Sequence, residues 1–238
     1  MDTVIFDLDG TLLPMPSQEI FVDTYFKTLT KKLARQGIQT GDLMSAIGAA
    51  TAAVVHNDGT MTNEQRFWNK FCSLLGEAAT DLEPIFLHFY YNEFAEVRST
   101  TSCHPHAREC IKLLKKKGYQ VVLATNPLFP RIATITRMQW AGLDPEDFEL
   151  ITTYENSSYC KPNLNYYKEI LEKIKKQPQE CIMIGNDVKE DMCAAELGMQ
   201  TFLLKDCLIC PEGVNIEHLP QGDFDALLRL VQEMPVIS

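Results

Sequence analysis

Two carboxylates stand two residues apart near the start of the chain, in Asp7-Leu8-Asp9-Gly10-Thr11, directly after the apolar run Thr3-Val4-Ile5-Phe6. If that run is a strand whose geometry persists, a spacing of two sends both side chains to the same side. Two like charges that close repel, raise a pKa or recruit a cation. Gly10 permits a tight turn and a close approach of backbone N–H groups to an anion. Asp is also a common turn and cap residue, so the pair taken alone weighs evenly between chemistry and that structural use.

Three further clusters shift the balance. Thr125-Asn126-Pro127 follows the run Tyr119-Gln120-Val121-Val122-Leu123-Ala124 and offers a hydroxyl and amides. Lys161-Pro162 lies directly before a helical pattern and delivers one cation on a constrained turn. Gly185-Asn186-Asp187-Val188-Lys189-Glu190-Asp191 follows Cys181-Ile182-Met183-Ile184 and brings a second carboxylate pair, Asp187 and Asp191, to a helix start. Individually these read as a turn, a surface charge and a helix-start acid. Jointly they set carboxylates, a hydroxyl, a lysine and more carboxylates in order along the chain. Ligands of open parallel sheets sit outside the carboxyl ends of the strands, which is where these groups fall.

The elements that must position them are short β-rich runs separated by helical patterns, the signature of an α/β fold with a parallel sheet. Phe148-Glu149-Leu150-Ile151 and Gln200-Thr201-Phe202-Leu203-Leu204 complete a set of five predicted strands. Ala107, Cys110, Ile111 and Leu114 make a one-faced stripe after Pro105, closed by Gly118. Leu164, Tyr167, Ile170, Leu171 and Ile174 make another after Pro162, and Val188, Met192, Ala195 and Leu197 predict a short helix ending at Gly198. Lys115-Lys116-Lys117 reads as a solvated helix end favoured by the helix dipole.

The stretch from Pro16 to Glu96 has no convincing strand. Ile20, Phe21, Tyr25, Leu29 and Leu33 form one helical stripe, Phe67, Phe71, Leu74 and Leu75 a second, and Pro84 to Ala95 a third. So much helix is more than a simple crossover between parallel strands requires, which is roughly a dozen residues. The expected organisation is a core of residues 1–15 and 97–238 with a helical cap at 16–96. Within that cap, Phe21, Tyr25, Phe67 and Trp68 read as buried packing rather than ligand contacts.

Composition bounds the remaining possibilities. The chain has 238 residues, 45% hydrophobic and 23% charged, which is ordinary for a globular protein and excludes a disordered or collagen-like one. Its formal net charge of −10 argues against a nucleic-acid partner, which would call for a basic face. No apolar run approaches the roughly 18 residues of a membrane span, and the N-terminus lacks a signal-peptide pattern, so a cytoplasmic location without membrane contact is expected. Eight cysteines in such a chain are expected to be reduced thiols. Cys207 and Cys210 have only His218 nearby, short of the four ligands of a structural zinc site. His104-Pro105-His106 has no framing carboxylate or Cys pattern, and Pro105 reads as the first residue of a helix. Oligomeric state has no sequence signal.

The four clusters, Asp7-x-Asp9-Gly10-Thr11, Thr125-Asn126, Lys161-Pro162 and Gly185-Asn186-Asp187-x-x-x-Asp191, resemble the four motifs of the haloacid dehalogenase-like (HAD) hydrolase superfamily, in the family's order. The resemblance implies a Rossmann-like core, a small helical cap inserted after the first motif, and Mg²⁺-dependent phosphotransfer through an aspartyl-phosphate. The 36 residues between Thr125 and Lys161 already hold a helix and a strand, leaving no room for the large cap that some relatives carry there. Asn186 stands where many relatives place the acid directly after Gly, but Asp187 and Asp191 keep the four-residue spacing.

Carried over residue by residue, the resemblance makes Asp7 the nucleophile and Asp9 the general acid and then base. Thr125, Asn126 and Lys161 would bind the phosphate oxygens, Lys161 also keeping Asp7 ionised. The Asp7 side chain, the Asp9 carbonyl and the Asp187 side chain would hold Mg²⁺, with Asp191 behind them. The family's dehalogenases lack the second carboxylate of the first motif, so Asp9 points to phosphate chemistry. A phosphatase acting on a small phosphorylated metabolite is the leading expectation. A phosphomutase of the same superfamily would use the same Asp7 and Asp9 on a sugar phosphate, and an inactive binding or regulatory protein is disfavoured by the intact motifs.

Overall fold

The computed structural model describes residues 1–237. Six parallel strands form one sheet: β1 (Thr3–Phe6), β2 (Gln120–Leu123), β3 (Leu150–Ile151), β4 (Cys181–Gly185), β5 (Gln200–Leu204) and β6 (Gln221–Gly222). Their spatial order is β3-β2-β1-β4-β5-β6, so the chain builds outward on one side of β1 and then restarts on the other. The crevice at such a reversal is where α/β sheets bind ligands. Buried on both faces, β1 and β4 have no exposed residue, which is why they read as continuous apolar runs rather than alternating ones. The register sets Phe6 level with Leu123 and with Ile184, so three strand ends finish side by side.

The chain after β1 opens with four helices: α1 (Gln18–Arg35), α2 (Gly41–Val55), α3 (Asn63–Leu75) and α4 (Glu83–Tyr91). Each start is chemically defined where polar groups are available. Ser17 accepts the Ile20 N–H at the head of α1, and Thr62 and Gln65 form a reciprocal capping box on α3. The sheet is covered by α5 (Pro105–Lys116), α6 (Arg131–Trp140), α7 (Leu164–Ile174) and α8 (Phe224–Glu233). Pro105 opens α5 as expected, with the His104 ring stacked on Phe224 at 4.0 Å. All eight cysteines are free, Cys207 and Cys210 included. Among the described residues no helix is long and apolar enough to cross a membrane.

Several expectations need correction. α2 has no counterpart among the three predicted stripes. The third stripe divides into α4 and a 3-10 segment, Glu93–Thr100. The helix expected from Val188 is a turn, in which the Asp187 carboxylate accepts the N–H groups of Lys189 and Glu190, followed by a 3-10 segment at Met192–Leu197. The strand expected at Phe148 begins at Leu150. Lys117 is not a solvated helix end: its ammonium donates to the carbonyls of Val231 at 2.9 Å, Gln232 at 2.6 Å and Met234, which lack partners where α8 stops.

That contact gives a stability prediction. Charge-assisted hydrogen bonds contribute about 1.5–3 kcal/mol when buried, and Lys117 is only half-buried, so Lys117→Ala should cost about 1–2 kcal/mol. At roughly 2–4 °C per kcal/mol, thermal unfolding should shift down by about 2–8 °C. The exposed neighbour Lys115 serves as control, and an equal shift for Lys115→Ala would remove the capping role.

Candidate active site

Asp7 is the first residue beyond β1. Its N–H donates to the Ile184 carbonyl at 2.9 Å, which fixes it at the seam between β1 and β4. On the other side of β1, the Ala124 N–H donates to the Phe6 carbonyl at 2.7 Å and carries Thr125 to the same level. The Asp7 carboxylate is 7% exposed. One oxygen accepts the Lys161 ammonium at 2.8 Å, and the other lies 2.9 Å from the Thr11 hydroxyl.

Lys161 is 2% exposed and has a second partner, an Asp191 oxygen at 2.6 Å. Burial opposes its charge, but Asp191 and Asp7 outweigh burial and hold the ammonium well above the usual lysine range. Burial likewise pushes the Asp191 carboxyl up against the pull of Lys161. The remaining Asp191 oxygen accepts the Asp187 N–H at 2.9 Å, which secures the turn after β4.

Asp9 faces a different cation. Arg137, buried on α6, donates to one Asp9 oxygen, and its guanidinium carbon lies 4.6 Å from the centre of the Phe129 ring. The Thr125 hydroxyl lies 3.5 Å from the same Asp9 oxygen. Burial raises the Asp9 pKa, Arg137 opposes that and Asp7 adds to it. The other Asp9 oxygen is buried with no hydrogen-bond partner, and so is the side-chain oxygen of Asn126. The Asn126 amide donates to Glu190 at 3.2 Å, and burial pushes the Glu190 carboxyl up to about 7.

Two glycines make the close approach possible. Gly10 has φ +84°, a left-handed backbone, and a Cβ there would lie 2.4 Å from the Asn186 amide. At Gly185 a Cβ would lie 2.1 Å from an Asp191 oxygen, so Asp191 reaches Lys161 across the space where a side chain would be. Asn186 ties the loops together. Its amide donates to the Cys207 carbonyl at 2.6 Å, and its oxygen lies 2.9 Å from the Thr11 hydroxyl, whose single proton serves Asp7 or Asn186.

Asp7, Asp9, Thr125, Asn126, Asp187 and Asp191 thus line one pocket of about 220 Å³. Lys161 lies beneath it and reaches it only through Asp7 and Asp191. Sequence reasoning missed Arg137, Glu190, Thr11 and Asn186 as working parts. Thr11, Asn186 and Glu190 were visible inside the motif stretches, whereas nothing in the sequence around Arg137 marks it. Five carboxylates (Asp7, Asp9, Asp187, Glu190 and Asp191) meet two cations, and burial raises three of them. That surplus, with unpartnered buried oxygens on Asp9 and Asn126, suits a divalent cation with oxygen ligands. Among the described residues no three acidic, His or Cys side chains converge as a complete metal cage. The expected ligand set needs only two such side chains, Asp7 and Asp187, with the Asp9 carbonyl as the third donor.

Residues 1–197 match the sequence profile of the haloacid dehalogenase-like hydrolases. Pyrophosphatase PpaX of Bacillus cereus is 25% identical over 201 residues, spanning 84% of this chain and 82% of that protein. The crystal structure of a HAD phosphatase from Thermococcus onnurineus is similar in fold, with a TM-score of 0.55 at 18% identity over 100% of both chains. The 2-haloacid dehalogenase of Pseudomonas syringae pv. Tomato has a TM-score of 0.62 at 17% identity over 98% of each chain. These solved structures speak to the fold alone, and the profile carries the assignment. The chain belongs to the haloacid dehalogenase-like hydrolase family and, with the second carboxylate of the first motif present as Asp9, stands on its phosphatase branch.

Proposed function

We propose that the protein is a Mg²⁺-dependent phosphatase that hydrolyses a small phosphorylated metabolite through an aspartyl-phosphate on Asp7. The observation that carries this reading is the position of Asp7 at the switch point of the sheet, 2.8 Å from a buried lysine and 2.9 Å from the Thr11 hydroxyl, with Asp9 in the same pocket. The Asp7 carboxylate attacks phosphorus, the ester P–O bond breaks, and Asp9 gives its proton to the departing alkoxide. Asp9 then takes a proton from water, which attacks the acyl-phosphate and returns Asp7 as a carboxylate with release of inorganic phosphate. Thr125 and Asn126 bind the non-bridging oxygens, and Lys161 offsets the charge on Asp7 from below. Asp7, Asp187 and the Asp9 carbonyl would hold Mg²⁺, with Asp191 fixing the Asp187 turn. When bound, the cation offsets the repulsion between carboxylate and phosphate. In this reading residues 16–96 form a cap over the carboxyl ends of the strands, and residues 1–15 and 97–238 form the core.

Pyrophosphate, suggested by the name of the Bacillus cereus relative, fits less well. Among the described residues the only cationic side chain lining the pocket is Arg137, and it is already paired with Asp9. A leaving group that is itself a phosphate would meet carboxylates in excess.

Hydrolysis of an aryl phosphate with Mg²⁺ tests the roles. Asp7→Asn should lower the rate by more than about 10³-fold, and Asp9→Asn by about 10² to 10⁴-fold, both proteins remaining folded by circular dichroism. Wild-type rates in the Asp7 variant would sink the nucleophile assignment. Conversion of a sugar phosphate without released phosphate would favour a phosphomutase.

Metal removal gives a second test. Chelation should abolish turnover, and Mg²⁺ at about 100 times its Kd should raise stability by about 2.7 kcal/mol. That corresponds to about 5–10 °C in thermal unfolding. Asp187→Ala should erase the shift; an undiminished shift in that variant would place the cation elsewhere.

A further inference from the structure

A second chamber, of about 230 Å³, adjoins the carboxylate pocket. The two share Phe21, Val22, Leu128 and Phe129 as common walls. The second chamber differs sharply in chemistry. Nine aromatic side chains line it, from α1, α3, α4 and the loops beside α6, and Glu83 is the single charged residue among the described lining. Glu83 is exposed, so the interior carries no charge. Phe21 and Tyr25 are buried in the core as the sequence led us to expect, while Phe67 and Trp68 are only half-buried, and all four face this cavity. The Tyr25 and Tyr90 hydroxyls lie 2.8 Å apart and satisfy each other, and burial holds both phenols in their neutral form.

The connection to Asp9 is short and continuous. Arg137 pairs with Asp9 and packs over the Phe129 ring; Phe129 meets Tyr25 edge-on at 5.5 Å and Phe21 at 6.5 Å. An alcohol whose oxygen leaves beside Asp9 therefore extends past Phe21 and Phe129 into the aromatic chamber. A cavity of about 150 Å³ admits benzene, so this one has room for a larger apolar group.

We infer that the leaving group is an uncharged, apolar alcohol of about one to two rings, and that the aromatic chamber is its binding site. The inference rests on the phosphatase reading above and narrows its substrate class to phosphomonoesters of apolar alcohols. Leaving groups bearing a carboxylate or a second phosphate are disfavoured twice: the chamber offers them no cation, and Asp9, Asp187 and Glu190 repel them at its mouth.

The experiment compares four substrates with Mg²⁺: 1-naphthyl phosphate, phosphoglycolate, pyrophosphate, and acetyl phosphate as a small acyl phosphate that does not need the chamber. Wild type should turn over 1-naphthyl phosphate with kcat/KM at least about 10-fold above phosphoglycolate and pyrophosphate. Thr51 lines the chamber from α2 and is half-buried, so Thr51→Trp fills it without touching the carboxylates. That variant should lose at least about 10-fold on 1-naphthyl phosphate and keep acetyl phosphate within about twofold. Val22, 45% exposed on α1, gives a second variant outside the buried core. Val22→Arg should lower the preference for the naphthyl ester over phosphoglycolate. Titration calorimetry of 1-naphthol on the metal-free protein reads the chamber without catalysis, and binding should be present in wild type and lost in Thr51→Trp. Preference for phosphoglycolate or pyrophosphate over 1-naphthyl phosphate, equal losses on 1-naphthyl and acetyl phosphate in Thr51→Trp, or unchanged naphthol binding in that variant would overturn the inference. Failure of wild type on acetyl phosphate, or its hydrolysis at full rate by Asp7→Asn, would instead overturn the phosphatase reading, with naphthol binding still reporting on the chamber.

Discussion

A lysine ammonium with no access to water needs carboxylates around it, and Lys161 has two, Asp7 and Asp191. Much of the site geometry follows from that requirement. Asp7 must end β1 at the level where β4 ends, because Asp191 reaches the ammonium from the loop after β4. Residue 185 must lack a side chain, since Asp191 occupies the space a Cβ would take. The turn before α7 must carry Lys161 beneath the strand ends. Removing one partner of a buried ion pair typically costs about 3–5 kcal/mol, far more than a surface pair contributes, so three separate chain segments are held in one arrangement. The position of Asp7 and the local stability of the strand ends are thus two consequences of one contact.

Above that contact the balance of charge reverses. Lys161 and Arg137 are both committed to carboxylates, and Asp187 and Glu190 remain on the pocket side. In low-dielectric surroundings such a surplus is relieved by protons or by a cation. The raised pKa values of Asp9 and Glu190 are the proton answer. A divalent ion would be the other answer, and it would leave the carboxylates charged. The net charge of −10 over the whole chain hinted at a cation site without saying where. Only a small group of those acids is concentrated here.

The motif residues that line the carboxylate pocket were legible because they sit on strand ends, where short-range signals coincide: an apolar run, a stop, and a polar residue beyond the stop. Five strands and the cores of α1, α3, α5 and α7 followed from the same local periodicities. α2 escaped because its buried face, with Ala46 and Ala50 beside Leu43, Ile47 and Val54, hardly differs from an outer face carrying Ala52. β6, two residues long, carries no periodicity at all. The turn at Asp187 has helical apolar spacing, yet only a turn and a 3-10 segment follow it. Arg137 was invisible for a different reason. Its partner is 128 residues away, and pairing over that distance leaves no mark in either segment. Lys117 and the carbonyls it caps at the end of α8 are separated in the same way.

The two chambers explain each other physically. Aromatic rings that remain partly open to water retain a hydration cost that tighter packing would have removed, and Phe67 and Trp68 retain it while Phe71, one turn on in the same helix, is fully buried. The same rings lower the dielectric response beside Asp9, where Phe129 lies under the Arg137 guanidinium. An apolar group filling the chamber would expel the water that screens Asp9 and Arg137, strengthening their interaction with a departing oxygen. Binding energy gained on the rings would thereby act on the charges. An anionic leaving group would draw water in with it, and the pocket would lose at the carboxylates what it gained in occupancy.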